Sequence, residues 1–282
     1  MVENHRWLDV LAHLTLILGV LIVAFPVYIA FVASTHEPSA FVSGLIPLLP
    51  GDNLVPSYTD VLKGGTSAQM SVPISTMLGN SLIMALSIAV GKIVISILSA
   101  FAIVYFRFPF RQAAFWVIFL TLMLPVEVRI VPTFKVVSEL GMLNSYVGLT
   151  VPLIASATAT FLFRQVFLTI PEELMEAARI DGAGPLKFFW DVLLPMSRTN
   201  VAALFVILFI YGWNQYIWPI LVTTDSGYYT IVAGIKRMAD VVDSEPLWNF
   251  IMATSVLALL PPVVVVIAMQ RLFVKGLVET EK

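Results

Sequence analysis

Cysteine is absent from the 282-residue chain, which excludes disulfides, thiolate nucleophiles and thiolate metal sites. Histidine is scarce. His5, His13 and His36 all fall near the N-terminus, so no histidine metal cluster or catalytic histidine is supported. Charge is the third shortage: 12% of residues are Asp, Glu, Lys or Arg, where a soluble domain carries roughly 25%. A net charge of −2 and a pI near 5.9 give no basic field for nucleic acid. No G-x-x-x-x-G-K-[ST] run is present, so any ATP that drives this protein must be held by another chain. Repeats, low-complexity tracts and flexible linkers are also missing, and one integral domain over residues 1–282 is the economical reading.

What the chain has in excess is apolar surface. With 59% hydrophobic residues and a mean hydropathy of +0.93, it reads as an all-α, polytopic integral membrane protein. Spans of about 20 residues are predicted over roughly 11–34, 80–106, 112–134, 146–167, 200–223 and 249–273. The first run is longer than the roughly 7–15 residues of a signal-peptide core, and its leader has only Arg6 against Glu3 and Asp9, which favours a span over a cleaved signal. Between the first two spans lies a long polar loop with a short helix expected over Tyr58–Leu62.

Six crossings put both termini on one side. Arg6, Arg107, Arg111, Arg164, Arg179, Lys187, Arg198, Arg271, Lys275 and Lys282, ten of the sixteen basic residues, then share that side. The positive-inside rule makes it cytoplasmic. Lys63, Arg129, Lys135, Lys236 and Arg237 spread over the longer outer loops, and Lys92 is left inside the second span.

On the cytoplasmic side by this topology, residues 171–195 read PEELMEAARIDGAGPLKFFWDVLLP. Two short helices broken at a turn are predicted. Thr169 and Glu172 have capping-box spacing, Pro171 suits a first turn, Glu172, Glu173 and Glu176 suit a positive helix end, and Gly182 stops the helix. Leu174, Ala177 and Ala178 share one face, leaving the three glutamates and Arg179 to face something polar. After Gly184-Pro185, Leu186, Phe189, Trp190 and Leu193 recur as the apolar face of a second helix.

The spacing Glu176-Ala177-Ala178, three residues, Gly182, nine residues, Val192-Leu193-Leu194-Pro195 resembles the EAA loop of the membrane permeases of ABC importers, E-A-A-x3-G-x9-I-x-L-P, with Val192 where the pattern has Ile. Longer runs at Ser99–Arg111, Phe119–Thr133, Ser156–Gln165, Ile210–Pro219, Val232–Lys236 and Leu260–Arg271 are similar to the permeases of sn-glycerol-3-phosphate importers, relatives of the maltose importer's shorter permease. The resemblance implies the type I importer permease fold in a bacterial inner membrane. It further implies a second homologous permease chain, two copies of a cytoplasmic ATPase that bind the ATP and Mg, and a periplasmic or lipid-anchored binding protein. Glycerol 3-phosphate, and with it glycerophosphodiesters, is the implied cargo. This chain is then no enzyme and holds no cofactor. Its ATPase-coupling residues are Glu172, Glu173, Glu176, Ala177, Ala178, Arg179, Asp181 and Gly182.

Polar residues inside the spans carry two readings each. Lys92 either satisfies itself against another helix or meets the cargo. Glu127 and Arg129, beyond Pro125, either pair at the water interface or place Arg129 in the pathway, where a guanidinium would match a phosphate. On the fifth span, Tyr211, Trp213, Asn214, Gln215, Tyr216 and Trp218 crowd together; Tyr216 and Trp218 suit an aromatic belt, while Trp213, Asn214 and Gln215 could line a pathway. The connection from Asp225 to Leu247 is long. By resemblance to the maltose importer's permease, Tyr228 and Tyr229 would reach a binding protein; otherwise the loop is merely solvated. Outside this family, the alternatives are a related sugar or polyol importer, an ion-coupled secondary transporter, or a membrane enzyme. The last two lack intramembrane acidic relays and paired carboxylates in this sequence.

Overall fold

A chain this apolar must satisfy its backbone polar groups internally, and helices do so within a single segment. The computed structural model describes residues 6–41, 44, 47–64, 72–121, 126–240 and 245–278, and among these there is helix and no strand. In chain order the helices are α1 (Arg6–Ser34), α2 (Leu54–Lys63), α3 (Ile74–Tyr105), α4 (Arg111–Leu120), α5 (Val126–Glu139), α6 (Tyr146–Thr150), α7 (Ala157–Leu168), α8 (Glu172–Ile180), α9 (Pro185–Phe188), α10 (Leu194–Met196), α11 (Arg198–Trp213), α12 (Ile217–Val222), α13 (Ile231–Ala239) and α14 (Trp248–Val278).

The sequence predicts six unbroken spans. The described residues supply three helices long and apolar enough to cross a membrane, within α1, α3 and α14, or up to five if two bent pairs are counted. Hydropathy registers greasiness and misses backbone breaks. Over 146–167 the chain passes from α6 through a tight turn, Val151–Leu153, to a new helix whose first turn is capped by Ser156, its Oγ accepting from the Ala159 amide at 3.3 Å. The axes turn by 49° there. Over 200–223 the helix stops at Trp213 and restarts at Ile217. Over 112–134, α4 ends at Leu120 and α5 starts at Val126, while Leu124 and Pro125 lie outside the described residues.

The chain packs as two compact units. In the unit of residues 1–75 and 234–260, the expected short helix appears as α2, with Ser57 and Val61 buried. Asn53 donates its side-chain amide to Ser57 Oγ at 3.0 Å, and the wholly buried Asn249 of α14 reaches the same oxygen at 3.5 Å.

In the unit of residues 76–233 and 261–282, Met84 and Ile88 of α3 pack with Val137, Leu149, Trp218 and Val222. Gly212 lets α11 close on α3: a Cβ there would sit 2.9 Å from Ala85 Cα. Trp218 is buried and donates its indole N–H to Gly148 O at 3.1 Å, so it is a core anchor and the belt reading is corrected. Within the connection from Asp225 to Leu247, α13 occupies Ile231–Ala239, so that part is a helix where a solvated loop was the alternative.

Candidate functional site

The segment 171–195 folds as a short helix, a glycine stop and a widened turn. In α8 no residue is buried; Glu172, Glu173, Glu176, Ala177 and Arg179 are exposed and Ile180 is 86% exposed. Gly182 has φ +74°, the left-handed conformation that costs other residues most. Around it the Ala183 amide donates to Ala178 O at 2.8 Å and the Gly182 amide to Arg179 O at 3.0 Å, the paired bonds of a Schellman stop. Asp181 is the C-cap. The expected capping box does not form. Thr169 Oγ1 instead donates back to Val166 O at 2.7 Å, because Pro171, lacking an N–H, occupies the N-cap and fixes an extended entry.

Beyond Gly184, a π-turn spans Phe189–Leu193, with the Leu194 amide reaching back to Phe189 O. Such a turn suits Pro195, whose ring would crowd the Asp191 carbonyl in a regular helix. The extra residue rotates the face. Phe188, Phe189 and Leu193 are buried, whereas Leu186 and Trp190 are exposed, correcting the expected four-residue apolar stripe. Phe188 and Phe189 pack against the C-terminal end of α3, their rings 5.3 Å from Tyr105 and 5.1 Å from Phe101. Between α8 and this turn a cleft of about 480 Å³ is lined by Leu174, Asp191, Val192, Pro195, Met196, Arg198 and Thr199.

Further along α3, Lys92 is 7% exposed and its ammonium lies 3.8 Å above the centroid of the Tyr211 ring. Arg129, exposed on α5, is within electrostatic reach of both Lys92 and Tyr211. Among the described residues neither cation has a carboxylate within 4.0 Å. The Glu127 side chain lies outside the described residues. An ammonium within a span costs about 2.5–3.5 kcal/mol, and an aromatic face returns about 2 kcal/mol when desolvated. The described residues therefore offer these two cations no anion.

The rest of the fifth-span cluster falls on or beside the break that follows α11. Trp213 is 2% exposed with its ring stacked on Phe209 at 5.8 Å. Asn214 is exposed at the helix end, and Gln215 Nε2 donates to Tyr211 O at 3.2 Å. Irregular backbone at membrane depth is tolerated where it is packed in protein or lines a cavity. Tyr228 and Tyr229 are half-buried. Tyr228 meets Tyr146 edge-to-face at 5.3 Å, and the Tyr229 hydroxyl donates to Thr224 O at 3.2 Å.

Residues 92–279 match the family of binding-protein-dependent transport system inner membrane components. The chain belongs to this family. Proteins described as the sn-glycerol-3-phosphate transport system permease UgpE are 60% identical in Agrobacterium fabrum, 58% in Brucella melitensis and 57% in Yersinia pestis, each over the whole of both chains. A solved chain from a bacterial ABC transporter that imports the acidic polysaccharide alginate superposes with a TM-score of 0.80 at 21% identity, covering 96% of this chain and 98% of that one. The fold is thus that of an ABC transporter permease. Membership makes the chain a multi-pass transport subunit of the inner membrane, one part of a larger complex, and not an enzyme.

For a member of this family, sequence reasoning left one neighbour of Lys92 unassigned. Tyr211 forms the platform under the ammonium, and its place in a crowded aromatic run disguised that role. Asn80, Ser81 and Tyr146 were also passed over. The signal available for the first two was a polar pair, Asn80-Ser81, opening an otherwise apolar run.

Proposed function

We propose that this chain is a permease subunit of an ATP-driven, binding-protein-dependent importer that carries sn-glycerol 3-phosphate, with glycerophosphodiesters as further cargo. The relatives' shared description supports the substrate. The observation that carries the reading for this chain is the buried Lys92, held over Tyr211 and within electrostatic reach of Arg129, with no anionic partner among the described residues. A phosphate monoester supplies the missing charge, whereas a neutral sugar or polyol would leave both cations uncompensated. Arg129 meets the phosphate as it leaves the binding protein, and Lys92 receives it deeper in the span. Asn214 and Gln215, on the irregular backbone after α11, offer amides to the glycerol hydroxyls. Glu127 tempers the field at the outer side.

Six crossings with both termini in the cytoplasm remain the preferred topology: α1, α3, α4 with α5, α6 with α7, α11 with α12, and α14. One integral domain then spans the chain. The α8 helix, with Glu172, Glu173, Glu176, Ala177, Ala178, Arg179, Asp181 and Gly182, serves as the contact for a cytoplasmic ATPase. ATP and Mg belong to two copies of that ATPase, a second homologous permease completes the pathway, and a binding protein delivers cargo near Tyr228 and Tyr229. Closure of the ATPase pair draws α8 inward; Phe188 and Phe189, packed on Phe101 and Tyr105, offer a route by which that motion reaches α3.

Uptake by proteoliposomes containing the purified complex tests the cargo. Glycerol 3-phosphate should be accumulated with ATP and binding protein present, and neutral glycerol should not compete. Competition by a neutral sugar at equal strength would favour a related sugar importer. Topology is tested in this cysteine-free chain by single cysteines at Gly182 and Lys275, expected to react with impermeant reagents from the cytoplasmic side, and at Gly227, from the outside. Reaction of all three from one side would overturn the span count.

A further inference from the structure

The outer end of α3 holds the Gly227–Ile231 segment more firmly than a loop connection requires. Asn80 is 2% exposed, and all of its side-chain groups are engaged. Its Nδ2 donates to Gly227 O at 2.8 Å and to Tyr229 O at 3.0 Å, and its Oδ1 accepts from the Tyr146 hydroxyl at 2.7 Å. One residue on, Ser81 Oγ accepts from the Ile231 amide at 2.7 Å where α13 begins. The other flank is clamped too. Asn144 Oδ1 accepts from the Thr224 and Asp225 amides at 2.7 and 2.9 Å, and the Asp225 carboxylate accepts from the Gly227 amide at 2.9 Å. Residues 224–231 are therefore fixed from both sides while Thr224, Asp225 and Gly227 stay exposed at the tip.

We infer that Asn80 is a positioning residue that presents Thr224–Tyr229 as a pre-formed ledge for the binding protein, so that docking meets an ordered surface instead of having to order one. The occupant is a binding protein because the family works with one and because the ledge's exposed tip is polar, as a contact that must release after each cycle requires. Fixing a contact segment before association removes an ordering cost from binding. This inference rests on the placement of the binding-protein contact at Tyr228 and Tyr229 proposed above.

The test titrates liganded binding protein against the ATPase rate of the whole complex in lipid nanodiscs, with the rate lacking binding protein as the control. Asn80→Asp keeps the size and the Tyr146 bond but turns both donors into acceptors facing two carbonyls. It should raise the half-saturating concentration about tenfold, with the same maximal rate. Tyr146→Phe keeps its ring against Tyr228 and loses one bond, and should raise it about threefold. Unchanged half-saturation in both variants overturns the inference if Tyr229→Ala raises it; if Tyr229→Ala also has no effect, the contact itself has been misplaced. A fall in maximal rate or in the control rate for Tyr146→Phe would make Asn80 a folding residue and likewise overturn it.

Discussion

Helices α1 and α3 are similarly apolar, yet 11% of the membrane-length stretch of α1 is buried and 44% of that of α3. The difference lies in their polar residues. From Leu14 to Val23, α1 presents leucine, isoleucine and valine that are more than half exposed, a surface suited to lipid or to a partner chain. Along α3 the buried polar side chains are spread out: Asn80 and Ser81 near the N-terminal end, Lys92 over Tyr211, and Ser96, whose hydroxyl donates to Ser156 O at 3.1 Å at the bend before α7. At the C-terminal end Tyr105 donates to Phe167 O at 3.3 Å and meets Phe188. Of the two helices, it is α3 whose side chains meet Tyr211, the Gly227–Ile231 segment and Phe188 with Phe189.

The largest test of this contrast is reversal of the one charge inside α3. Lys92→Glu should lower phosphate-ester uptake by about a hundredfold or more, since an anion would then face an anion in a low dielectric. Quantified complex in the membrane should stay near the unmodified level. Next is the segment packed on the C-terminal end of α3. Gly182→Val must adopt φ +74° with a β-branched side chain, so the Schellman stop should fail and ATPase retention on purification should drop about tenfold. Full retention would remove α8 from the coupling role.

Smaller effects separate partners from bystanders. Arg129→Lys keeps the charge but loses the planar fork, and initial uptake should fall about threefold, less than for Arg129→Ala. Ser96→Ala removes one hydrogen bond at the bend and should cost about twofold to fivefold in uptake. Leu18→Ala with Val20→Ala in α1 should leave uptake within about twofold, because neither side chain is packed in this chain. A larger loss from the α1 pair would show that its exposed face is a working interface, and the contrast with α3 would dissolve.

Much of the segment 171–195 was legible in the sequence, for local reasons. Gly182 can only be a stop where the chain turns left-handed, and Gly184-Pro185 restarts a helix with few alternatives. The π-turn was not legible, because one widened turn near Pro195 changes which side chains face inward without altering the pattern of residue types. Spans were visible as greasy runs, but the breaks at Ser156 and after Trp213 depend on caps and turns that hydropathy averages away. Lys92 stood out as a charge in a span. Its platform did not, since the 118 residues between Lys92 and Tyr211 carry no spacing signal and only the close approach of α11 to α3 at Gly212 brings them together.

The central claim is that Lys92 over Tyr211, with Arg129 in electrostatic reach, has no anion among the described residues because the cargo brings it. The most direct measurement is single-cycle uptake of radiolabelled glycerol 3-phosphate by proteoliposomes carrying the complex with Lys92→Gln and Arg129→Gln together, with saturating binding protein and ATP. Uptake per ATP hydrolysed is expected to fall about a hundredfold, with binding-protein-stimulated hydrolysis continuing. Uptake per ATP equal to that of the unmodified complex would contradict the account and assign phosphate recognition to another chain.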